Sequence, residues 1–281
     1  MPESTSPLRV VEETPAYWRV VFDYPPFNVM DGTMFQSLQD LLARMDASQT
    51  LRVVVFESAI PDFYLAHFDL TGKLGNVMSG VGPTSLPVLL DTFVRLTKSP
   101  VVSIAKIRGC ARGASSEFIL ACDMRFASRE NTRLGQPEVA VGLHPGGGGA
   151  ERLPHLTGRG RAFEIVLGGN DFDGETAERY GYINRALADA ELDGFVDTFS
   201  RRIASFDRRA IAAAKELVNQ VSLPSADRLL DAINSFQVAL TWPETGRRVK
   251  TLLERGLQQD GDFEKGWPAV LGSLLNESQQ S

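Results

Sequence analysis

The sequence predicts an α/β protein in which a parallel sheet packed by helices is followed by a helical C-terminal part. Up to about Gly158, segments rich in β-branched and aromatic residues alternate with segments of helical period. A strand, a helix and a strand in that order indicate a parallel crossover unit. Beyond Gly158 strand signals become rare. We therefore place the α/β core at residues 1–200 and a helical region at residues 201–281.

The first crossover unit consists of two strands and the helix between them. "YWRVVFDYP" (residues 17–25) and "LRVVVFES" (residues 51–58) have the composition of strands. Asp31 stands where a helix N-cap is expected. The helix is predicted from apolar residues at helical spacing, namely Met34, Leu38, Leu41, Leu42 and Met45.

The same alternation continues along the chain. A helix is predicted over residues 86–97, and "PVVSIAKIRG" then predicts a strand that is buried on both faces and ends at Ile107. A further helix is predicted after Gly113, followed by the strand "DMRFAS". Three later segments are predicted to be helical, namely "DGETAERYGYINRAL", residues 192–221 and residues 225–257. A polar tail is predicted at "QQDGDFEKG".

Composition excludes several classes of protein. The chain of 281 residues has 43% hydrophobic and 23% charged residues, a net charge of −6 and no Lys/Arg-rich tract, so we expect no nucleic-acid partner. Two cysteines and three histidines show no metal-ligand spacing, so no metal is expected. No apolar run is long enough to span a bilayer and no secretory signal is seen, which predicts a cytoplasmic protein without membrane contact.

Two carboxylates stand in apolar, glycine-rich surroundings. Glu117 lies in "GCARGASSEFILACDMRFAS" and Glu138 in "LGQPEVAVGLHPGGGG". A buried carboxylate is costly unless it is paired, hydrogen-bonded or protonated. From the residues alone, Glu117 could merely complement a helix dipole and Glu138 could lie in solvent. Without further information these interpretations are favoured over the alternative that both are working groups of an active site.

Two loops are candidates for binding an oxyanion. The turn at Gly113 precedes a helix N-terminus, whose free N–H groups favour negative charge, although the turn could serve packing alone. "PDFYLAHFDLTGK" (residues 61–73) follows a parallel strand at its carboxyl end, where ligands usually bind in such sheets. One N–H from each loop, aimed at a shared point, would form an oxyanion hole.

Four segments in order resemble the crotonase (enoyl-CoA hydratase/isomerase) superfamily, from about Val10 to about Val221. "YLAHFDL" is similar to the family's "FxAGxDL" loop, and "GCARGASSEFILACDMRFAS" to its "GxAxGGGxELAxxCDxxxA" segment. "GQPEVAVGLHPGGGGAERLPHLTGRGRA" and "FDGETAERYGYINRAL" resemble the two segments that follow. The resemblance implies a crotonase (ClpP-like) spiral of repeated ββα units with a helical C-terminal trimerisation region.

The resemblance implies roles for four residues at the reacting centre. Glu117 would activate a water molecule, and Glu138 would deliver a proton to the α-carbon. The backbone N–H groups of Phe68 and Ala114 would form the oxyanion hole. Alanine replaces the usual glycine at position 114. It keeps the N–H but adds a methyl group, which is tolerable only if φ stays negative.

Five further residues have supporting or binding roles. By resemblance, the N–H of Gly146 would help to hold the hydrogen-bond network. The adenine of coenzyme A would lie near the backbone of Ala66, and Lys73 is a weaker candidate for a contact with its phosphates. His67 and His144 depart from the family pattern and are kept as supporting candidates, although a packing role is favoured for His144.

Two other departures concern Arg112 and the C-terminus. Arg112 occupies a turn position that is normally apolar, and we interpret it as a salt-bridge partner at a subunit contact. The family's common C-terminal ending is absent. That difference puts in doubt any contribution of this end to a neighbouring subunit's CoA site.

The resulting hypothesis is a hydratase that adds water to a trans-2-enoyl-CoA. Coenzyme A would arrive with the acyl-CoA substrate, without a separate cofactor, and the chain would form a homo-trimer or a dimer of trimers. Isomerisation of a 3-enoyl-CoA, thioester hydrolysis and C–C cleavage remain alternatives on the same fold. So does a CoA-thioester binder with little turnover.

Overall fold

An eight-stranded mixed sheet forms the centre of the protein in the computed structural model, which describes residues 6–273. Residues 1–5 of the predicted α/β core and residues 274–281 of the predicted helical region lie outside the described residues. The strands are β1 (Leu8–Thr14), β2 (Tyr17–Phe22), β3 (Val53–Ser58), β4 (Phe63–Leu65), β5 (Val102–Arg112), β6 (Met124–Gly135), β7 (Phe172–Asp173) and β8 (Arg185–Leu187).

Helices cover the sheet and dominate the chain after β8. They are α1 (Gly32–Ala47), α2 (Val88–Lys98), α3 (Ala114–Ala121), α4 (Gly149–Thr157), α5 (Arg159–Gly168), α6 (Gly174–Tyr180), α7 (Asp189–Ala204), α8 (Arg208–Ser222), α9 (Ala226–Ala239), α10 (Pro243–Arg255) and α11 (Asp262–Gly266). Two short 3₁₀ turns, Glu138–Val141 and Trp267–Val270, complete the described elements.

The α/β prediction is confirmed, but the sheet is not wholly parallel. Its main path runs β1-β2-β3-β5-β6-β7, with β4 paired to β5 and β8 to β6. The pairs β1–β2 and β6–β7 are antiparallel, and the other pairs are parallel. The parallel strands all deliver their carboxyl ends to one edge, where the loops that carry the candidate residues gather.

Two strands extend further than predicted. β5 does not end at Ile107 but continues to Arg112, and β6 runs beyond "DMRFAS" to Gly135. The residues Gly109 to Arg112 pair with Thr132 to Gly135, so "GCAR" belongs to a ladder rather than to a turn. This extension carries the backbone straight to Gly113 and the start of α3.

The first crossover is the element that the sequence predicts best. Asp31 caps α1 by accepting hydrogen bonds from the N–H groups of Thr33 (3.0 Å) and Met34 (2.9 Å). The apolar face of α1 is buried against the sheet, as its helical spacing indicates. The five predicted apolar residues of this helix are all buried.

The C-terminal helices divide between the back of the sheet and the candidate site. α7 packs against β2, β3, β5 and β6. In contrast, α9, α10 and α11 pack beside the turn after β6, at the candidate site. No helix within residues 6–273 is long and apolar enough to cross a membrane. The same residues contain no cluster of three or more His, Cys, Asp or Glu side chains suited to a metal ion.

Candidate active site

An apolar pocket lies at the sheet edge where the candidate residues meet. Its wall comes from the loop after β4, the start of α3, the turn after β6, the glycine run before α4, helix α9 and Trp267. The side chains of its apolar part are Leu70, Met78, Leu89, Val141, Leu143, Ile233, Phe236 and Trp267. Such a lining suits an acyl chain rather than a charged ligand.

Both predicted oxyanion donors line this pocket. Within residues 6–273, no hydrogen bond is made by the backbone N–H of Phe68 or of Ala114. The Phe68 amide is fixed from both sides, because Met30 donates to the carbonyl of His67 (2.9 Å) and accepts from the N–H of Asp69 (3.2 Å). The two free N–H groups are thus preorganised donors at one pocket.

Ala114 keeps its N–H available because Gly113 carries the unusual backbone conformation. Gly113 has φ +56°, and a Cβ there would lie 3.1 Å from Oε1 of Glu138, so a larger residue would be strained as well as crowded. Ala114 begins α3 and is not among the described non-glycine residues with positive φ. The condition set for alanine at this position is therefore met.

Glu117 is held rigidly at the pocket floor. Its Oε1 accepts hydrogen bonds from the N–H groups of Gly147 (2.7 Å) and Gly149 (2.8 Å), and the residue is buried. A Cβ on Gly147 would come within 2.6 Å of Oε2 of Glu117, which explains glycine at this close approach. Behind the loop, Arg152 donates to the carbonyl of Gly147 (3.2 Å).

Glu138 faces Glu117 from the turn after β6. With its amide oriented to satisfy both neighbours, Gln136 donates to the two carboxyl oxygens of Glu138 at 2.9 and 3.0 Å. The Gln136 oxygen then accepts from the hydroxyl of Ser116 at 3.2 Å, and Ser116 is in turn hydrogen-bonded to Tyr182. This buried chain fixes the orientation of Glu138 from behind.

The electrostatics make the two carboxyl groups easy to protonate. Burial raises the pKa of Glu117 to about 7, although the Gly149 and Gly147 N–H groups oppose this increase. Burial raises the pKa of Glu138 well above its ordinary value, and the nearby charge of Glu117 raises it further. At neutral pH the pair can therefore supply one base and one acid in the same pocket.

The glycine run differs in detail from the expectation. Gly146 lines the pocket and packs against Phe236, since a Cβ there would lie 2.7 Å from Cγ of that ring. The hydrogen bonds to Glu117 come from Gly147 and Gly149 rather than from Gly146.

The two supporting histidines lie in different places. His67 is buried at the pocket, with Nε2 2.9 Å from Oε1 of Glu264 and Nδ1 2.8 Å from the carbonyl oxygen of Phe68. His144 lines an outer cleft instead, where Nε2 lies 3.0 Å from Oγ of Ser235. His144 therefore has a partner and does not reach the pocket.

The predicted CoA contacts stay predictions. Ala66 is 1% exposed, its N–H donates to the carbonyls of Phe27 (3.1 Å) and Asn28 (3.2 Å), and its carbonyl accepts from the N–H of Arg112 (3.2 Å). Little of Ala66 is thus accessible to adenine. Lys73 is exposed beside the same loop, and its backbone N–H donates to Asp69.

The prediction that Arg112 forms a salt bridge at a subunit contact is wrong, because its partner lies in the same chain. The guanidinium is buried and forms a two-point ion pair with Asp171 of the same chain, at 2.8 and 2.7 Å. Its remaining donors bond the carbonyls of Glu264 (3.1 Å) and Lys265 (2.7 Å). Arg112 therefore ties β5 to the C-terminal segment.

Several residues of the site carry no local sequence signal that we recognised. Gln136 is one polar residue among many, and Phe236 and Trp267 are apolar residues among many. Gln136 could have been found by asking which polar residue sits at the end of β6, two positions before Glu138. The aromatic residues required knowledge of how α9 and the C-terminal segment pack.

Comparisons with known proteins agree with this geometry. The family described as enoyl-CoA hydratase/isomerase matches residues 15–240. The short-chain-enoyl-CoA hydratase of Clostridium acetobutylicum is 34% identical over 194 residues, which cover 69% of this chain and 73% of that protein. The mouse enoyl-CoA hydratase domain-containing protein 2 is 32% identical over 202 residues, 72% of this chain and 64% of that protein.

A solved structure extends the likeness to the whole fold. A Streptomyces avermitilis protein described as a "putative enoyl-CoA hydratase" is 39% identical and superposes with a TM-score of 0.90. The match covers 97% of this chain and 99% of that one, including the C-terminal helices. The resemblance to the crotonase superfamily and its α/β fold is confirmed, and the chain belongs to the enoyl-CoA hydratase/isomerase family.

Proposed function

We propose that this protein adds water across the double bond of a trans-2-enoyl-CoA to give a 3-hydroxyacyl-CoA. One observation carries the proposal: two buried carboxyl groups and two unengaged backbone N–H groups line the same apolar pocket. Hydration needs both sets of groups, because charge develops on the thioester oxygen while one proton leaves water and another reaches carbon.

In the proposed reaction the thioester oxygen lies between the N–H groups of Phe68 and Ala114. Glu117, as the carboxylate, takes a proton from water as the water oxygen bonds to C3, and the electron pair of the double bond moves into an enolate. Glu138, as the carboxylic acid, then gives its proton to C2. A proton passed from Glu117 back to Glu138, directly or through solvent, restores the pair. The chemistry requires no metal or redox cofactor, and coenzyme A arrives with the substrate.

The test is incubation of the purified protein with short-, medium- and aryl-chain 2-enoyl-CoA esters, followed by loss of the enoyl-thioester ultraviolet absorbance. Hydration of at least one ester supports the proposal. CoA esters that bind without any turnover would contradict it and would indicate a binding protein. Conversion of 3-enoyl-CoA without hydration would instead indicate an isomerase that uses Glu138 alone.

Replacing Ala114 by proline should test the second oxyanion donor. Proline removes the N–H at the first helical position, where its ring is well tolerated. We expect kcat to fall roughly 10²–10³-fold, as for other oxyanion-hole donors, with little change in the unfolding temperature. Ala114→Gly, which keeps the N–H, is the matched control and should stay within a few-fold of the parent. An unchanged kcat in Ala114→Pro would show that this amide does not contact the oxyanion.

The assembly proposed for the chain is a homo-trimer or a dimer of trimers in the cytoplasm. Its support is the family resemblance together with an uncovered apolar surface on the helices. α8 has no buried residue, and three of its apolar side chains, Leu217, Val218 and Val221, are more than half exposed. Sedimentation equilibrium should give a mass of three or six chains, and Leu217→Lys should lower it. A monomer at micromolar concentration would contradict this proposal.

A further inference from the structure

The segment that follows α10 is part of the pocket and not a polar tail. Glu264, in the middle of the predicted tail "QQDGDFEKG", is 1% exposed. Its Oε2 accepts from the N–H of Gln258 (2.6 Å), and Gln258 in turn donates from Nε2 to Asp69 (2.7 Å) in the loop after β4. Trp267 of the same segment packs edge-to-face on the ring of His67. The C-terminal segment therefore closes over the loop that presents the Phe68 N–H.

The surroundings of His67 define which atoms of its ring carry protons. Nδ1 faces the carbonyl oxygen of Phe68 and Nε2 faces a carboxylate oxygen of Glu264, at 2.8 and 2.9 Å. Both neighbours are acceptors, and a neutral imidazole has only one N–H to donate. The two short contacts are satisfied together when the ring is an imidazolium, which donates from both nitrogens.

The charges around this ring balance in the ionised form. Arg112 is the other cation nearby, and Asp171 neutralises it through the two-point ion pair. Glu264 is then left to match His67. Burial raises the pKa of the Cys110 thiol to about 11, so this nearby group stays neutral. An unmatched ion at this depth would be strongly unfavourable, whereas a hydrogen-bonded pair is tolerated.

We infer that His67 is a positioning residue, held as an imidazolium by Glu264, which fixes the Phe68 peptide and places positive charge beside the oxyanion hole. The inference rests on the proposed function for its catalytic consequence. The ring donates from Nδ1 to the carbonyl of Phe68, one peptide along from the N–H of that pocket residue, while Glu264 holds the ring from Nε2. Its charge also favours the enolate over the neutral thioester.

The direction of the pH effect follows from the pair. Burial alone lowers the pKa of His67, but the Glu264 carboxylate and the Phe68 carbonyl outweigh it, and the pKa lies above 6.5. Because the pKa of His67 is higher in the folded than in the unfolded chain, protonation of His67 stabilises the fold. This contribution is fully present below pH 6.5. This contribution is lost as the pH rises through the folded pKa.

The protonation of His67 can be measured without any substrate. The chain has three histidines, so ¹⁵N labelling of the imidazoles gives three resolvable rings, and His67→Gln assigns the signal of interest. We expect both ring nitrogens of His67 to be protonated at neutral pH. Glu264→Gln should make the ring neutral at the same pH and leave the other two histidines unchanged. A neutral His67 ring in the unaltered chain would overturn the inference.

Kinetics then separate positioning from mere structural support. Glu264→Gln and His67→Gln should each lower kcat about tenfold, less than the loss of a direct oxyanion donor, with KM within a few-fold. Lys265→Gln is the matched control: it removes the exposed ion pair of this segment with Asp62 and should leave kcat unchanged. Variants that melt earlier but keep kcat at a temperature where they are folded would show a structural role only.

Failure of the two proposals can be told apart. If the unaltered chain hydrates no enoyl-CoA ester, the proposed function fails, while the imidazole spectra still decide whether Glu264 holds a charged His67. If the chain is an active hydratase and His67→Gln keeps full kcat, the proposed function stands and the positioning role is wrong.

Discussion

Glu138→Gln should lower kcat for hydration roughly 10²–10⁴-fold, the range for loss of a general acid. Burial and the nearby charge of Glu117 raise the pKa of Glu138 well above its ordinary value, which favours the acid form that gives a proton to C2. Glutamine has the same size but no proton acidic enough to transfer to carbon. Because the apolar wall of the pocket is untouched, KM should change only a few-fold.

The role of Glu138 can be checked by a second reaction that needs no water addition. Saturated acyl-CoA should exchange its C2 hydrogens with deuterated solvent, using Glu138 and the oxyanion hole alone. We expect Glu138→Gln to lose this exchange and Glu117→Gln to keep much of it. Exchange that survives in Glu138→Gln would assign the C2 proton to another group. Glu138→Asp, which retains the acid but shortens the side chain, should fall between the two.

Glu117→Gln should lower kcat for hydration to a similar extent. The pH profile of the residual activity should lack the acidic limb. In the unaltered protein Glu117 must be ionised to activate water, and its pKa is raised to about 7 by burial. The value of kcat/KM should therefore fall as the pH drops through about 7 and reach a plateau above it, until the acid Glu138 ionises. The glutamine oxygen can still accept from Gly147 and Gly149, so the glycine loop should stay in place.

The same variant distinguishes hydration from isomerisation. Moving a double bond from C3 to C2 needs one carboxyl group to shuttle a proton, and Glu138 can do so alone. If Glu117→Gln loses hydration but keeps isomerisation of a 3-enoyl-CoA, Glu117 is the water-activating base. Full hydration in Glu117→Gln would contradict its role, and loss of both reactions would indicate a collapsed pocket, which circular dichroism and the unfolding temperature would reveal.

Local patterns predicted the elements whose signals are contained within a few turns. The helical spacing of α1 and its Asp31 cap depend on neighbours three or four residues apart, and both are confirmed. The limits of β5 were missed, because Gly109 and Gly113 interrupt an apolar run that pairing with β6 keeps extended. β7 and β8 have two and three residues, too few to show a period. β8 lies within the segment predicted to be helical, and β7 overlaps its first residue.

The sequence by itself determined the α/β class, the family and the choice of the two glutamates as candidates, because the order and spacing of short motifs need no knowledge of packing. Only the tertiary structure decided which groups meet these residues. Glu264 reaches His67 across 197 positions of sequence, and a charged residue in a polar stretch looks the same whether it is solvated or buried. Gly147 and Gly149, rather than Gly146, bond Glu117 because the direction of each N–H depends on backbone angles that four consecutive glycines leave open. Burial raises the pKa of Glu117, and long-range pairing places Glu264 beside His67. Both effects arise only when distant segments pack together.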